Sequence, residues 1–172
     1  MNKLINGGFL LLSLVVNAQF GRIYMNAPRG SGALAVTYSN TGSNTSWDPS
    51  ISNDLFQSRI NNINLNYTHV LRILDRTVGL GLNLPMGNIL SYNIAAGEVF
   101  NSAAGLADPS IIFDMNIFGA ASMLPEVFKK TPAEDYFGVH TTWSLPLGEY
   151  DPSKQTNLGS NRYTAKILLN YG

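Results

Sequence analysis

The sequence predicts an all-β fold, an antiparallel outer-membrane β-barrel, on three observations. Six stretches alternate apolar and polar residues with period two, the pattern of strands whose faces meet different surroundings. The chain is 45% hydrophobic but only 13% charged. Its N-terminus reads as an export signal. After that signal no run of about 18 apolar residues offers a membrane helix. A chain that enters a bilayer without helices must satisfy its backbone N–H and C=O groups between strands, which favours a barrel.

The signal comprises Lys3 as a short positive region, an apolar stretch over residues 7–16, and Val16 and Ala18 at the spacing a signal peptidase accepts. Cleavage is expected between Ala18 and Gln19. Residues 1–18 are then the signal peptide and residues 19–172 the barrel domain. Removing Lys3 leaves 10 Lys+Arg against 11 Asp+Glu, a net charge of −1. That balance gives no electrostatic basis for a nucleic-acid partner. Cysteine is absent, which removes thiolate zinc sites and redox chemistry.

The first expected strand, 33–41, sets Leu34, Val36 and Tyr38 against Ala35, Thr37 and Ser39. In the second, 62–68, Ile63, Leu65 and Tyr67 alternate with Asn62, Asn64, Asn66 and Thr68. A face of asparagines is costly against a dry core and natural against a water-filled lumen. The third, 78–84, opposes Val78, Leu80, Leu82 and Leu84 to Gly79, Gly81 and Asn83. The fourth, 110–118, opposes Ile111, Phe113, Met115 and Ile117 to Ser110, Ile112, Asp114 and Asn116. The fifth, 139–145, opposes Val139, Thr141, Trp143 and Leu145 to His140, Thr142 and Ser144. The sixth, 162–171, opposes Tyr163, Ala165, Ile167, Leu169 and Tyr171 to Thr164, Lys166, Leu168 and Asn170.

The connections are expected to alternate in length. Long outward ones span 40–59, 86–109 and 146–162, and a short inner one lies at 74–76. The fourth, 119–135, breaks the rule, and residues 122–130 fit one or two helical turns packed under the barrel. Pro85 and Pro146, in Leu-Pro-Met-Gly and Leu-Pro-Leu-Gly, are expected to end their strands, because proline lacks a ladder donor. Asp48-Pro49, Asp108-Pro109 and Asp151-Pro152 read as turn formers in the outward connections.

No enzyme chemistry stands out. His140 and Ser144 share a face but lie about 13 Å apart along a strand, too far for direct contact. His140 is expected as a polar lumen residue and His69 as an interfacial one. No paired-histidine metal site, phosphate loop or nucleophile motif is present, so neither a metal nor a cofactor is expected. Tyr67, Trp143, Tyr163 and Tyr171 fit the interfacial rings that anchor a barrel.

Four segments resemble a known family: residues 24–30 (YMNAPRG), 105–109 (GLADP), 145–152 (LPLGEYDP) and 157–163 (NLGSNRY). They are similar to the outer-membrane transporters named for the meta-pathway of phenol degradation. The resemblance covers essentially the whole of residues 19–172 and implies an outer-membrane barrel associated with aromatic-compound catabolism. Family members continue past the Asn-Arg-Tyr strand, so the expectation is an incomplete, N-terminal portion of a barrel with about six strands, its edge at residues 162–171.

The expected function is an outer-membrane channel for small hydrophobic or aromatic compounds, its partners being membrane lipid and such a solute. Asn64, Asn66, Asp114, Asn116, His140 and Lys166 are the expected lumen-lining residues. The alternative is a non-transporting surface barrel whose outward loops bind a ligand or partner. A water-filled interior favours the first and a side-chain-filled one the second.

Overall fold

Two residues reverse the chain at 74–75. Leu74 and Asp75 both take positive φ, 50° and 62°, which matches the right-handed twist of the strands that a two-residue hairpin turn must join. Arg72 pairs with Asp75 across it. The computed structural model describes residues 27–46, 55–93, 97–154 and 156–172. The signal segment, its cleavage site and Asp48-Pro49 lie outside them.

The elements are β1 (Gly32–Ser46), β2 (Leu55–Ile73), β3 (Arg76–Asn93), β4 (Glu98–Leu106), β5 (Ser110–Gly119), the single turn α1 (Pro125–Phe128), β6 (Tyr136–Ser144) and β7 (Thr164–Tyr171). All pairings are antiparallel. The order across the sheet is β1-β2-β3-β5-β6-β7, with β4 also on β3. Since β2 occupies one edge of β3 along its length, β4 and β5 lie end to end on the other. Seven strands therefore make six staves. The sheet is open: among the described residues β1 pairs with β2 alone and β7 with β6 alone. The fold is all-β, with the expected edge at β7.

Several boundaries differ from the sequence expectation. β2 has 19 residues and β3 has 18, about twice the 9 to 11 that a tilted membrane strand needs. Much of the stretch 40–59 is strand, and 86–109 contains the end of β3 and all of β4. Pro85 lies inside β3 rather than at its end. Its carbonyl accepts from Ala107 N at 2.8 Å, at the break where β3 changes partner from β5 to β4. Backbone N and C=O of one residue point to the same side of an antiparallel strand, so the missing donor falls in that break and costs no ladder bond. Pro146 lies two residues past the end of β6, outside the strand as expected.

The two faces of the sheet have opposite character over the lower part of the strands. Opposed residues share a face. Leu34–Tyr67–Leu82–Ile111–Trp143–Ala165 forms one continuous row, and Val36–Leu65–Leu84 lies beside it. Val36 and Leu169 are each 68% exposed, while Asp114 and Asn116 on the other face are 7% and 0% exposed. This inverts the arrangement of a water-soluble domain.

The character of the faces changes at one level. Asn40, Asn61 and Asn88 form a rung on the apolar face, where Asn61 Oδ1 accepts from the Tyr38 hydroxyl at 3.1 Å and from Asn40 Nδ2. Above it the other face takes the apolar residues Ile60, Ile89 and Ala103, which lie opposite one another. Ala103 is buried and Arg59 is exposed. The exchange is confined to that row: beside it Ser58 and Ser91 pair on the Ile89 face, with Ser91 buried, while Val99 on the other face is 51% exposed. The apolar band ends at the rung.

Candidate functional site

The polar face is built by register. One row runs Ala35–Asn66–Asn83–Ser110–Ser144–Thr164, and the next Ala33–Thr68–Gly81–Ile112–Thr142–Lys166. Below them lies Val70–Gly79–Asp114–His140–Leu168, then Asn116–Gly138–Asn170. Asn64 stands one step above Asn66, between Thr37 and Pro85. All six residues singled out from the sequence, Asn64, Asn66, Asp114, Asn116, His140 and Lys166, therefore share this face.

Of the six, His140 and Asp114 are in direct contact. His140 Nδ1 lies 2.5 Å from Asp114 Oδ1, and His140 Nε2 lies 3.0 Å from Thr142 Oγ1. The side chains of His140 and Asp114 are 12% and 10% exposed. The carboxylate fixes the ring orientation and the hydroxyl occupies its second nitrogen. Opposite Asp114 stands Gly79, where a Cβ would lie 3.3 Å from Asp114 Oδ2; a larger residue there crowds the carboxylate. The sequence reading missed Thr142. The available signal was simple, since residues two apart on a strand share a face about 7 Å apart, within reach of an imidazole.

The arrangement orders an acid, a ring and a hydroxyl in line. Elsewhere on the face Thr68 Oγ1 lies 3.4 Å from Asn66 Oδ1, and the Ser110 and Ser144 hydroxyls are 2.9 Å apart. Asn64 Oδ1, Asn116 Oδ1 and Asn170 Oδ1 are buried atoms without a protein partner. Buried acceptors of this kind call for a donor such as water. Among the described residues no group of three or more His, Asp or Glu gathers as a metal site.

The lower end of the face is crossed by the chain after β5. Gly119 and Ala120 take φ of 69° and 40°, turning the backbone sharply. A Cβ on Gly119 would sit 1.9 Å from Asp135 O, so only glycine fits. Ala120 O accepts from Asn116 Nδ2 at 3.2 Å and Thr77 Oγ1 at 3.3 Å, both from the polar face. Ala121 bridges to Arg76, and Arg29 N donates to Met123 O at 2.8 Å. The segment therefore links β5 to the start of β1 across the β2–β3 hairpin. The expected helical turn in this connection is α1.

At the other end Asp108 gathers three of the four segments quoted for the family resemblance. Its Oδ1 accepts from Gly148 N at 3.0 Å, and its Oδ2 from Ser160 N at 2.7 Å and Ser160 Oγ at 2.6 Å. Glu149 N donates to Leu106 O, and Gly159 N to Glu149 O. Partial burial raises the Asp108 carboxyl, but the Ser160 and Gly148 hydrogen bonds outweigh this and hold it below the usual range. Asp108 is thus a staple between distant segments, more than the turn former expected. Asp151 does behave as a turn former: the hydroxyl and N–H of Ser153 bond to it and hold its carboxyl below the usual range.

His69 stands on the apolar face with its Nδ1 3.4 Å from the Tyr67 hydroxyl. Tyr67, Trp143, Tyr163 and Tyr171 are all exposed, and Tyr171 donates to Asp135 at 3.0 Å. No helix among the described residues is long and apolar enough to cross a membrane, which says nothing of crossing by strands. No family model, curated protein or solved structure matches the chain.

Proposed function

We propose that the chain forms wall staves of an outer-membrane β-barrel channel. In this reading the apolar face meets lipid and the polar face lines an aqueous path for small molecules. The observation that supports it most is the inversion of the faces: exposed Leu34, Val36, Ile167 and Leu169 oppose buried Asp114 and Asn116. A soluble barrel with a dry interior needs the opposite assignment. The rung of Asn40, Asn61 and Asn88 marks one border of the lipid band, and the strands above it project into water. The resemblance nominates aromatic or apolar compounds as the cargo.

The alternative, a surface barrel that binds a partner through its outward loops, draws support from the ordered cluster around Asp108. Reconstitution of the full chain separates the two. A channel gives salt-dependent conductance steps across a planar bilayer; a non-transporting barrel inserts without them. Recovery of the chain in the soluble fraction, with no association with outer membranes, overturns both readings.

A further inference from the structure

We propose that the polar face selects neutral, hydroxyl-bearing solutes and reads them through side-chain amides; this rests on the channel reading above. Asn62, Asn64 and Asn66 stand on one face of β2, about 7 Å apart along the strand. Asn83 lies opposite Asn66, and Thr37 and Ser39 lie opposite Asn64 and Asn62. Each amide offers two donors and an acceptor, and each hydroxyl one donor and an acceptor. Asn64 Oδ1 is buried without a protein partner, so this ladder has capacity left for a solute hydroxyl.

What the face lacks defines the rest of the class. Among the described residues, no Phe, Tyr or Trp side chain stands on the polar face between the level of Asn62 and that of Asp114. The rings of Tyr38, Tyr67, Phe113 and Trp143 belong to the apolar face by register. An aromatic solute therefore finds no stacking platform and is held by a hydroxyl if it has one. On the same face Asp114 is paired with His140, and Lys166, one row above, has a partner of its own, so none of the three presents a lone charge to an ion. A solute hydroxyl exchanges water for amide contacts of similar strength, whereas an ion gives up hydration that neutral amides replace poorly.

The test uses the full chain reconstituted in vesicles, with osmotic swelling measured in arabinose and in potassium gluconate, and conductance in potassium chloride. Arabinose is expected to enter at least about threefold faster than gluconate. Substituting Asn64→Leu with Asn66→Leu keeps side-chain size and is expected to abolish that difference. Should the double variant fail to insert, Asn83→Leu tests the same ladder from β3. Conductance without arabinose preference, or a preference the leucines leave intact, overturns the solute class alone. Neither conductance nor swelling with any solute overturns the channel reading on which it rests.

Discussion

Asp108 and Ser160, 52 residues apart, are joined twice: one carboxylate oxygen takes both the backbone N–H and the hydroxyl of the serine. With Gly148 N on the other oxygen, the carboxylate ties the break between β4 and β5 to the connection between β6 and β7. Hydrogen bonds to a charged acceptor contribute about 1.5–3 kcal/mol each when shielded from water, and less for the exposed Ser160 contacts.

The pH dependence follows from the depressed carboxyl of Asp108. A group with a folded pKa below its unfolded value stabilises the fold fully above the unfolded pKa, about 3.9 for Asp. That contribution is lost as pH falls through the lower folded value. Hydrogen exchange at Gly148 and Ser160 should therefore show full protection from neutral pH down to about 4 and loosening below it. Asp108→Asn should remove the acid step and leave these amides less protected at neutral pH. An acid transition of unchanged size in that variant shows the carboxylate is not the group responsible.

A charge placed on the apolar face tests which side meets lipid. Phe113→Arg should cost about 2–4 kcal/mol of folding stability in vesicles, whereas Asn64→Arg on the opposite face should insert with a smaller loss. Heat-modifiable gel mobility and urea unfolding report both. The reverse ranking means the faces are assigned the wrong way round.

The hairpin turn leaves room for improvement. Leu74 and Asp75 occupy left-handed conformations that Asn and Gly adopt at lower cost. Replacing them by Leu74→Asn and Asp75→Gly should slow unfolding and stabilise by about 1 kcal/mol or more. Loss of the Arg72 pairing sets against this little, because that pair is exposed. Faster unfolding of the double variant would show that the turn is not of this type.

Strand identity in the lower band was legible because one face is consistently apolar there, as in Ile63, Leu65 and Tyr67. The upper halves of β2 and β3 were not, and the cause is local. At Asn61-Asn62 and Gly87-Asn88 two adjacent residues lack the apolar member of the alternation, and beyond them the apolar residues Ile60 and Ile89 sit on the other face. A period that changes phase reads as the end of a strand. β4 was hidden for a related reason: Ala103, Ala104 and Gly105 give no contrast between faces. The face of each candidate lumen residue could be read from parity alone. Contacts such as Asp114 with His140 depend on the offset between strands, which a single sequence does not set.

The Asp114–His140 pair offers a test of what a polar contact on this face contributes. Both side chains are largely buried, and each occupies part of the other's hydrogen-bonding capacity. His140→Leu leaves a carboxylate facing an apolar group, and Asp114→Leu leaves a ring nitrogen without its acceptor. Breaking one side of such a pair costs about 3–5 kcal/mol when water cannot reach the remaining partner. Replacing both by Leu removes the two unmet demands together and costs far less than the sum. If the face lines water instead, solvent reaches the survivor and each single variant loses only about 1 kcal/mol. Urea midpoints for the parent, both singles and the double therefore measure how wet this part of the face is. Large single losses with a small double loss indicate a locally dry pair, packed beside the segment that crosses the face at Ala120. Small losses throughout indicate that the aqueous path extends past His140 to the level of Asn116.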